Sequence, residues 1–271
     1  MLKLPGEGGA CAGRLSVLRV ADRSVVSHLS ATSPLRLVAS RLRGGRASLP
    51  AAYLSIVTLG GGLVDGDAIH LEVKVGADAA LVLTTQASTK VFRGAASQAL
   101  VADVDGLLVL APEPVACFRE ARYAQETRVS LGPRGSVVVV DGFTSGRAAY
   151  GDRWDFARLS LVTTLLRSGR TTLRDATLLD RDALPIAPRF GEMEALLTIV
   201  AEGPHLVPFL GDVLAPQPPT RDLVVAPSPL GECGAVVRIA ARRPAVAAAE
   251  VRRRLRNLAD ILGGDPWGGR R

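Results

Sequence analysis

Hydrophobic and polar positions alternate along much of this chain with the period of a β-strand. In residues 68–75, AIHLEVKV, every second side chain is apolar, which predicts one buried face and one solvated face. Residues 106–112, GLLVLAP, and 136–142, SVVVVDG, are short continuous apolar runs, typical of strands buried on both faces. Residues 158–179 predict a β-hairpin that turns at residues 168–169. The pattern therefore predicts a mainly β protein.

A strand, a turn containing Gly or Asp and a second apolar strand recur at residues 73–86, 101–113 and 129–142. The spacing of about 28 residues suits stacked repeat architectures, in which equivalent strands lie about 4.8 Å apart. Stacking would bring the residues at the end of each second strand to one edge, namely Thr84, Thr85, Gln86, Glu113 and Asp141. Three imperfect copies also arise by chance in a β protein rich in Val and Leu, so the repeat is either structural or coincidental.

Two helices are predicted, both in the C-terminal third of the chain. Residues 203–214 form a short one with Pro204 at its start, and residues 244–262 form a longer one that stops at Gly263. The longer helix has an apolar stripe formed by Val251, Leu255, Leu258, Ile261 and Leu262. Its other face carries Arg252, Arg253, Arg254 and Arg256. We expect the stripe to pack on a sheet; the alternative is a helix that docks a partner.

The composition limits the classes of function. Of the 271 residues, 48% are hydrophobic, enough for a sizeable core, and the 4% of aromatic residues argues against a surface that stacks bases or sugars. The net charge is +7, with many arginines near the C-terminus, which suits either nucleic acid or an acidic protein partner. The three cysteines are far apart and have no neighbouring His, which argues against a disulfide framework and a zinc site.

The location and domain organisation follow from the same sequence. The chain begins without the apolar run of a signal peptide, and it lacks a stretch of about 18 apolar residues that would span a membrane. We therefore expect a cytoplasmic protein. We expect a single domain over residues 1–271, with flexible ends at residues 1–13 and 264–271.

Residues 58–67, TLGGGLVDGD, form a glycine-rich segment with two carboxylates. The segment predicts either a turn between strands 52–59 and 68–75 or a rigid turn that presents Asp65 and Asp67 as oxygen donors. A phosphate-binding loop is less consistent with it, because the GKS or GKT ending is missing.

Residues 141–156 place Arg147 between Asp141 and Asp152. One interpretation is an internal brace between the guanidinium group and the carboxylates. Such a position would lower the pKa values of both carboxyl groups and keep them charged.

Residues 84–90, TTQASTK, place hydroxyl and amide side chains in a row. They either satisfy backbone groups of a loop or bind a ligand through hydrogen bonds. Ser88 or Thr85 as a nucleophile would need a general base, and the three histidines fall on separate elements. Hard oxygen donors of this kind can pass a divalent cation along without trapping it. The predicted cation path consists of Asp65, Asp67, Thr84, Thr85, Gln86, Glu113 and Asp141.

Several motifs in this order resemble the urease accessory protein UreD family, also called UreH. The residues that carry the resemblance are SPLRLV (33–38), GGGLVDGD (60–67), TTQASTKVFR (84–93), APEPVACF (111–118) and GRAAYGDRWDF (146–156). The resemblance implies a mainly β, stacked two-sheet, β-solenoid-like (β-helical) fold with about two helices, one of them near the C-terminus. The positions that match polar positions of the family are the path residues other than Gln86, together with Ser88, Lys90, Arg147 and Asp152.

The resemblance also implies a function. Family members are non-enzymatic chaperones that assist the insertion of nickel into urease. They bind the urease apoprotein and UreF, and through UreF the GTPase UreG. The resemblance implies transient Ni²⁺ that moves through an internal passage, no tightly bound cofactor, and neither nucleic acid nor membrane as a partner.

Two alternatives stay open at this point. The first is a β-solenoid scaffolding or binding module without a metal role. The second is a hydrolase that uses Glu113 and Asp141 as paired carboxylates.

Overall fold

Strands dominate the computed structural model, which describes residues 13–40 and 47–268. The strands are β1 (Gly13–Val20), β2 (Arg23–Ala31), β3 (Leu35–Ala39), β4 (Ala52–Thr58), β5 (Ala68–Val75), β6 (Ala80–Thr85), β7 (Lys90–Val91), β8 (Gly94–Val104), β9 (Leu107–Ala111), β10 (Val115–Cys117), β11 (Ala121–Leu131), β12 (Ser136–Thr144), β13 (Gly146–Arg147), β14 (Asp152–Arg153), β15 (Arg158–Arg167), β16 (Arg170–Asp180), β17 (Ala195–Glu202), β18 (Leu223–Pro229) and β19 (Gly234–Ala241). The helices are α1 (Ala187–Phe190), α2 (Leu210–Leu214), α3 (Pro244–Arg254) and α4 (Leu258–Leu262), with 3₁₀ turns at Ala148–Tyr150 and Pro204–Phe209.

The strands form two large sheets that face each other. The seven-stranded sheet has the order β16-β15-β11-β8-β5-β1-β2. The ten-stranded sheet has the order β18-β19-β17-β12-β9-β6-β4-β3, with β7 and β10 attached beside β12. Strands β5, β8, β11 and β15 are parallel neighbours, and so are β4, β6, β9 and β12. The fold is thus the predicted stacked two-sheet β-solenoid.

The predicted repeat is structural. Each copy supplies one strand to each sheet: β5 and β6, then β8 and β9, then β11 and β12. Equivalent residues of the copies pair directly, as in Leu71 with Leu100 and Leu100 with Thr127. The predicted hairpin is also confirmed, because β15 and β16 are antiparallel and Ser168 and Gly169 form the turn with positive φ.

Burial on two faces explains the continuous apolar runs of β9 and β12. Leu108 and Val139 face the seven-stranded sheet, whereas Val109 and Val138 face a second core that is covered by the helices. Strand β5 alternates because only one of its faces is covered: its apolar side chains point between the sheets, and Lys74 is exposed.

The helices differ from the prediction in their details. The first predicted helix is a 3₁₀ turn followed by α2, and the second is interrupted after Arg254 to give α3 and α4. Val251 and Leu258 pack in the second core, so the helix packs on a sheet as expected. The four-residue α1 was not predicted. Residues 1–12 and 269–271, for which flexible ends were expected, lie outside the described residues, whereas Trp267 is buried in the second core.

Arg254 corrects the prediction of an exposed arginine face. Its side chain is fully buried, and its Nε donates to Glu250 Oε1 over 2.7 Å. A second guanidinium nitrogen, Nη1, donates to the carbonyl oxygen of Val213. The reason is helical periodicity: Ala247, Glu250, Val251 and Arg254 recur with the spacing of one helix face, and that face is the one that α3 buries.

Among the described residues, α-helices long and apolar enough to cross a membrane are absent.

The buried Glu250–Arg254 pair predicts that two substitutions in this region differ in their effect on stability. Glu250→Ala leaves the Arg254 guanidinium buried without its carboxylate, so we expect the free energy of unfolding to fall by about 3 to 5 kcal/mol. Arg256→Gln alters an exposed side chain and should change it by about 0.5 kcal/mol or less. Urea denaturation of both variants measures the difference, and equal effects would contradict the assignment.

Candidate functional site

Two cavities lie between the sheets and meet at Asp141. The inner cavity has a volume of about 70 Å³ and the outer cavity about 180 Å³, which is room for several water molecules in each. Polar residues of the inner cavity are Thr85, Thr89, Gln98, Glu113, Gln125, Glu126 and Thr127. Polar residues of the outer cavity are Thr163, Asp175, Thr177, Thr198 and Arg238. Asp141 lines both cavities and is therefore the common element of the site.

Strand register places Asp141 in a row that crosses the ten-stranded sheet. Asp141 on β12 pairs with Thr198 on β17, and Thr198 pairs with Arg238 on β19. All three line the outer cavity. The row thus leads from the middle of the sheet toward its β18 edge.

The seven-stranded sheet contributes a matching row. Thr127 on β11 pairs with Thr163 on β15, and Thr163 pairs with Asp175 on β16. Toward the other end of the sheet the same row is apolar, with Leu100 and Leu71. The space between the sheets therefore becomes more polar toward β16.

Hydrogen bonds hold the Asp141 carboxylate in place. Its Oδ1 accepts from the Gly142 amide over 2.7 Å and from Gln125 Nε2 over 2.9 Å. Its Oδ2 accepts a longer bond, 3.4 Å, from Thr163 Oγ1. Burial raises the pKa of Asp141 to about 6, although these three donors act in the opposite direction; the negative charge of Asp175 adds to the rise. Asp141 therefore changes charge near neutral pH.

Tyr123 fixes the orientation of Gln125. The tyrosine is fully buried, and its hydroxyl oxygen lies 2.9 Å from Gln125 Oε1 and 2.5 Å from Gln98 Oε1. Burial raises the pKa of Tyr123, so the hydroxyl stays protonated and can donate. The single hydroxyl proton is shared between the two glutamine carbonyl oxygens. The Asp141 carboxylate only accepts, so Gln125 turns its N–H toward Asp141 and its carbonyl oxygen toward Tyr123.

The sequence did not single out this network. Gln98, Tyr123, Gln125, Thr163, Asp175 and Arg238 were not among the predicted site residues. A sequence signal exists for the two glutamines, because each lies on the buried face of its strand. Gln98 is on the same face as Leu100, and Gln125 is on the same face as Tyr123. A polar residue at an apolar phase indicates an interior polar site.

Thr85, Glu113 and Asp141 are the predicted path residues that the structure brings together in one cavity. Thr85 Oγ1 accepts the backbone amide of Glu113 over 2.8 Å. Thr84 points to the other face of β6, where its hydroxyl lies 3.3 Å from Ser55 Oγ. Strand alternation explains this separation of Thr84 from Thr85.

Asp65 and Asp67 brace the turn between β4 and β5, outside the two cavities. Asp65 Oδ1 accepts the Ala95 amide over 2.7 Å, and Asp67 Oδ2 accepts the Val64 amide over 2.8 Å. The turn interpretation of residues 58–67 thus matches the structure. The remaining loop residues, Gln86, Ser88 and Lys90, also lie outside the lining of the cavities.

Arg147 is part of a brace with Asp152. Arg147 Nε donates to Asp152 Oδ2 over 2.8 Å, and Arg119 Nη2 lies 3.2 Å from Asp152 Oδ1. The guanidinium group of Arg147 also stacks on the Phe118 ring at 4.4 Å. The expectation that Arg147 lowers the pKa of Asp141 is wrong: Asp141 is bonded to Gln125 between the sheets, and loss of solvation raises its pKa.

Ser136 and His205 make a contact that the sequence did not reveal. Ser136 Oγ lies 2.9 Å from His205 Nδ1, and it also accepts the backbone amide of His205 over 3.1 Å. Ser136 is fully buried, so this pair fixes the chain after β17. Within residues 13–40 and 47–268, clusters of three or more His, Cys, Asp or Glu suited to a metal ion are absent.

The pKa of Asp141 predicts how stability depends on pH. An unfolded Asp has a pKa of about 3.9, so between pH of about 4 and 6 the folded chain binds more protons than the unfolded chain. The free energy of unfolding should therefore fall as pH rises through this window, by at most about 3 kcal/mol.

The side chain that Asp141→Asn introduces cannot ionise. In urea unfolding from pH 4 to 8, this variant should therefore lack the fall in the free energy of unfolding that Asp141 causes. Gln125→Leu removes a donor to the charged form, so the window should extend to higher pH. An Asp141→Asn variant with the full pH dependence of the wild type would contradict the pKa assignment.

Comparison with known proteins gives a consistent family assignment. The profile of the family described as UreD urease accessory protein matches residues 10–269. The chain is 42% identical over 267 residues to a urease accessory protein UreD of Sorangium cellulosum, which covers 96% of this chain and 84% of the relative. It is 38% identical over 269 residues to a urease accessory protein UreD of an Anaeromyxobacter species, with 95% and 89% covered. A urease accessory protein D of Oryza sativa subsp. indica is 39% identical over 204 residues, with 73% and 66% covered. The chain belongs to the UreD urease accessory protein family.

Proposed function

We propose that this protein is a chaperone of urease maturation that assists the insertion of nickel into the urease apoprotein. Membership of the UreD family supports the role in maturation, and the names of the relatives as accessory proteins fit a non-enzyme. The proposed complex contains the urease apoprotein, UreF and, through UreF, the GTPase UreG. It assembles in the cytoplasm without nucleic acid or membrane.

The position of Asp141 between the two cavities is the observation that carries the nickel part of the proposal. The groups around it are hydroxyl and amide side chains, and its own carboxylate provides the charge. Oxygen ligands of this kind bind Ni²⁺ more weakly than a set of Cys and His side chains would. Weak ligands suit transient Ni²⁺, which is cargo here and must leave again.

The two cavities define the proposed passage. Glu113 lines the inner cavity and Asp175 the outer one, and their side chains are 21% and 20% exposed. A partly exposed carboxylate near each end can offset the free energy that a cation loses when it gives up its hydration water. Because the chain has a net charge of +7, attraction of Ni²⁺ must come from such local carboxylates.

Partner docking is a separate part of the proposal. The arginine face formed by residues 252–256 is smaller than the sequence suggested, since Arg254 is buried and Arg253 pairs with Glu250 over 2.7 Å. Arg252 and Arg256 remain on the surface, with Arg252 Nη2 3.7 Å from Glu113 Oε1. We propose that this face contacts an acidic segment of a partner, with an affinity that falls as salt rises.

Nickel transfer through Asp141 makes a direct prediction. Cells limited for nickel that express urease with Asp141→Asn should yield urease with several-fold less nickel than cells with the wild type. The complex with the urease apoprotein should still form, because the substitution lies between the sheets. Nickel content is measured by mass spectrometry of purified urease, and complex formation by co-purification.

Asp103→Asn is the matched control, since it removes one carboxylate from the exposed face of β8. It should leave the nickel content at the wild-type level. Full nickel loading with Asp141→Asn would favour a β-solenoid scaffold without a metal role.

A further inference from the structure

An ion pair spans the gap between the two sheets at the mouth of the outer cavity. Arg238 Nη2 on β19 lies 2.6 Å from Asp175 Oδ1 on β16, and these strands belong to different sheets. Both residues line the outer cavity. The Arg238 side chain is 58% exposed, so the guanidinium group lies where the cavity meets solvent.

A second ion pair already braces the same two sheets. Arg167 Nε on β15 lies 2.9 Å from Glu202 Oε1 on β17, and both side chains are largely buried. Thr172 donates to the same carboxylate over 2.6 Å, and Arg167 Nη2 donates to the Gly135 carbonyl over 3.1 Å. This pair has the additional hydrogen bonds of a structural brace.

The Arg238–Asp175 pair has the properties of a reversible contact. Exposed ion pairs contribute little to stability because water and salt compete for both charges. Asp175 accepts from Arg238, whereas Glu202 is held by Thr172 as well as by Arg167. The long arginine side chain can turn outward into solvent.

The charge of Arg238 opposes a cation in the outer cavity. Its guanidinium group neutralises Asp175 and repels a divalent cation that approaches Asp141 along the row Asp141–Thr198–Arg238. An Arg238 side chain turned outward would clear the mouth and leave the Asp175 carboxylate facing the cavity. The position of the Arg238 side chain would therefore determine both the access of a cation to the outer cavity and its attraction by Asp175.

We infer that Arg238 is the gate of the outer cavity for a divalent cation. Paired with Asp175 it keeps the cation away from Asp141, and released from Asp175 it admits the cation. The inference rests on the proposed function, because it assigns a regulation to the proposed nickel passage.

The test is a titration of the full-length chain with NiCl₂, followed by NMR. Paramagnetic Ni²⁺ broadens the backbone amide resonance of Gly142, which donates to Asp141. Arg238→Gln should lower the Ni²⁺ concentration for half-broadening at least threefold. Arg14→Gln is the control, because it removes an equal charge from another exposed ion pair, with Glu72 on β5. It should behave as the wild type.

The outcomes separate the gate from the passage. If the broadening in the wild type disappears with Asp141→Asn but Arg238→Gln leaves the half-broadening concentration unchanged, the gate is wrong and the passage stands. A shift of equal size with Arg14→Gln would mean a general charge effect and would also overturn the gate. If Gly142 is not broadened in any variant, the passage fails and the gate fails with it.

Discussion

In-register stacking of parallel strands is the constraint on which the rest of this structure depends. Each residue of one coil lies about 4.8 Å from its counterpart in the next coil, so neighbouring positions form rows across the sheets. Most of these rows are apolar and build the core between the sheets. Where Thr127, Thr163 and Asp175 follow one another in one sheet and Asp141, Thr198 and Arg238 in the other, the rows are polar. Two polar rows that face each other leave a gap with polar lining inside an otherwise apolar fold.

The surroundings of Asp141 decide what this gap can do. Burial favours the neutral carboxyl group, and hydrogen bonds from Gly142 and Gln125 favour the carboxylate, so the pKa settles near 6. An arginine in contact with Asp141 would have kept its carboxyl group charged and engaged in an ion pair. Neutral donors instead leave a carboxylate that can gain and lose a proton. Tyr123 and Gln125 maintain this balance, because they fix which groups face Asp141.

The sequence predicted the features that depend on the repeat period and on the positions where apolar runs end. The 28-residue spacing located the coils, and the apolar runs of β9 and β12 indicated burial on two faces. Thr85, Glu113 and Asp141 were predicted to lie together because they come at the ends of the apolar runs of successive coils, and they line one cavity. Asp65 and Asp67 have the same chemistry, but backbone amides of the turn engage them.

Two of the missed residues, Asp175 and Arg238, depend on strand pairing that a single sequence does not specify. Asp175 reaches the cavity through the register of β15 with β16, and Arg238 through the order β12-β17-β19, which is not sequential at either step. Arg254 was misplaced because a run of arginines suggests a solvated face, whereas helical periodicity turns this member inward. The errors at Asp175 and Arg238 concern tertiary pairing, whereas the position of Arg254 follows from the helical period.

The titration of the Asp141 carboxyl group by ¹³C NMR tests the central claim most directly, because it reports the balance of burial and hydrogen bonding at the junction of the two cavities. The account predicts a midpoint at a pH of about 6 in the folded chain. A midpoint at or below about 4, the value of an ordinary exposed Asp, would show that the group is solvated or ion-paired and would contradict the account.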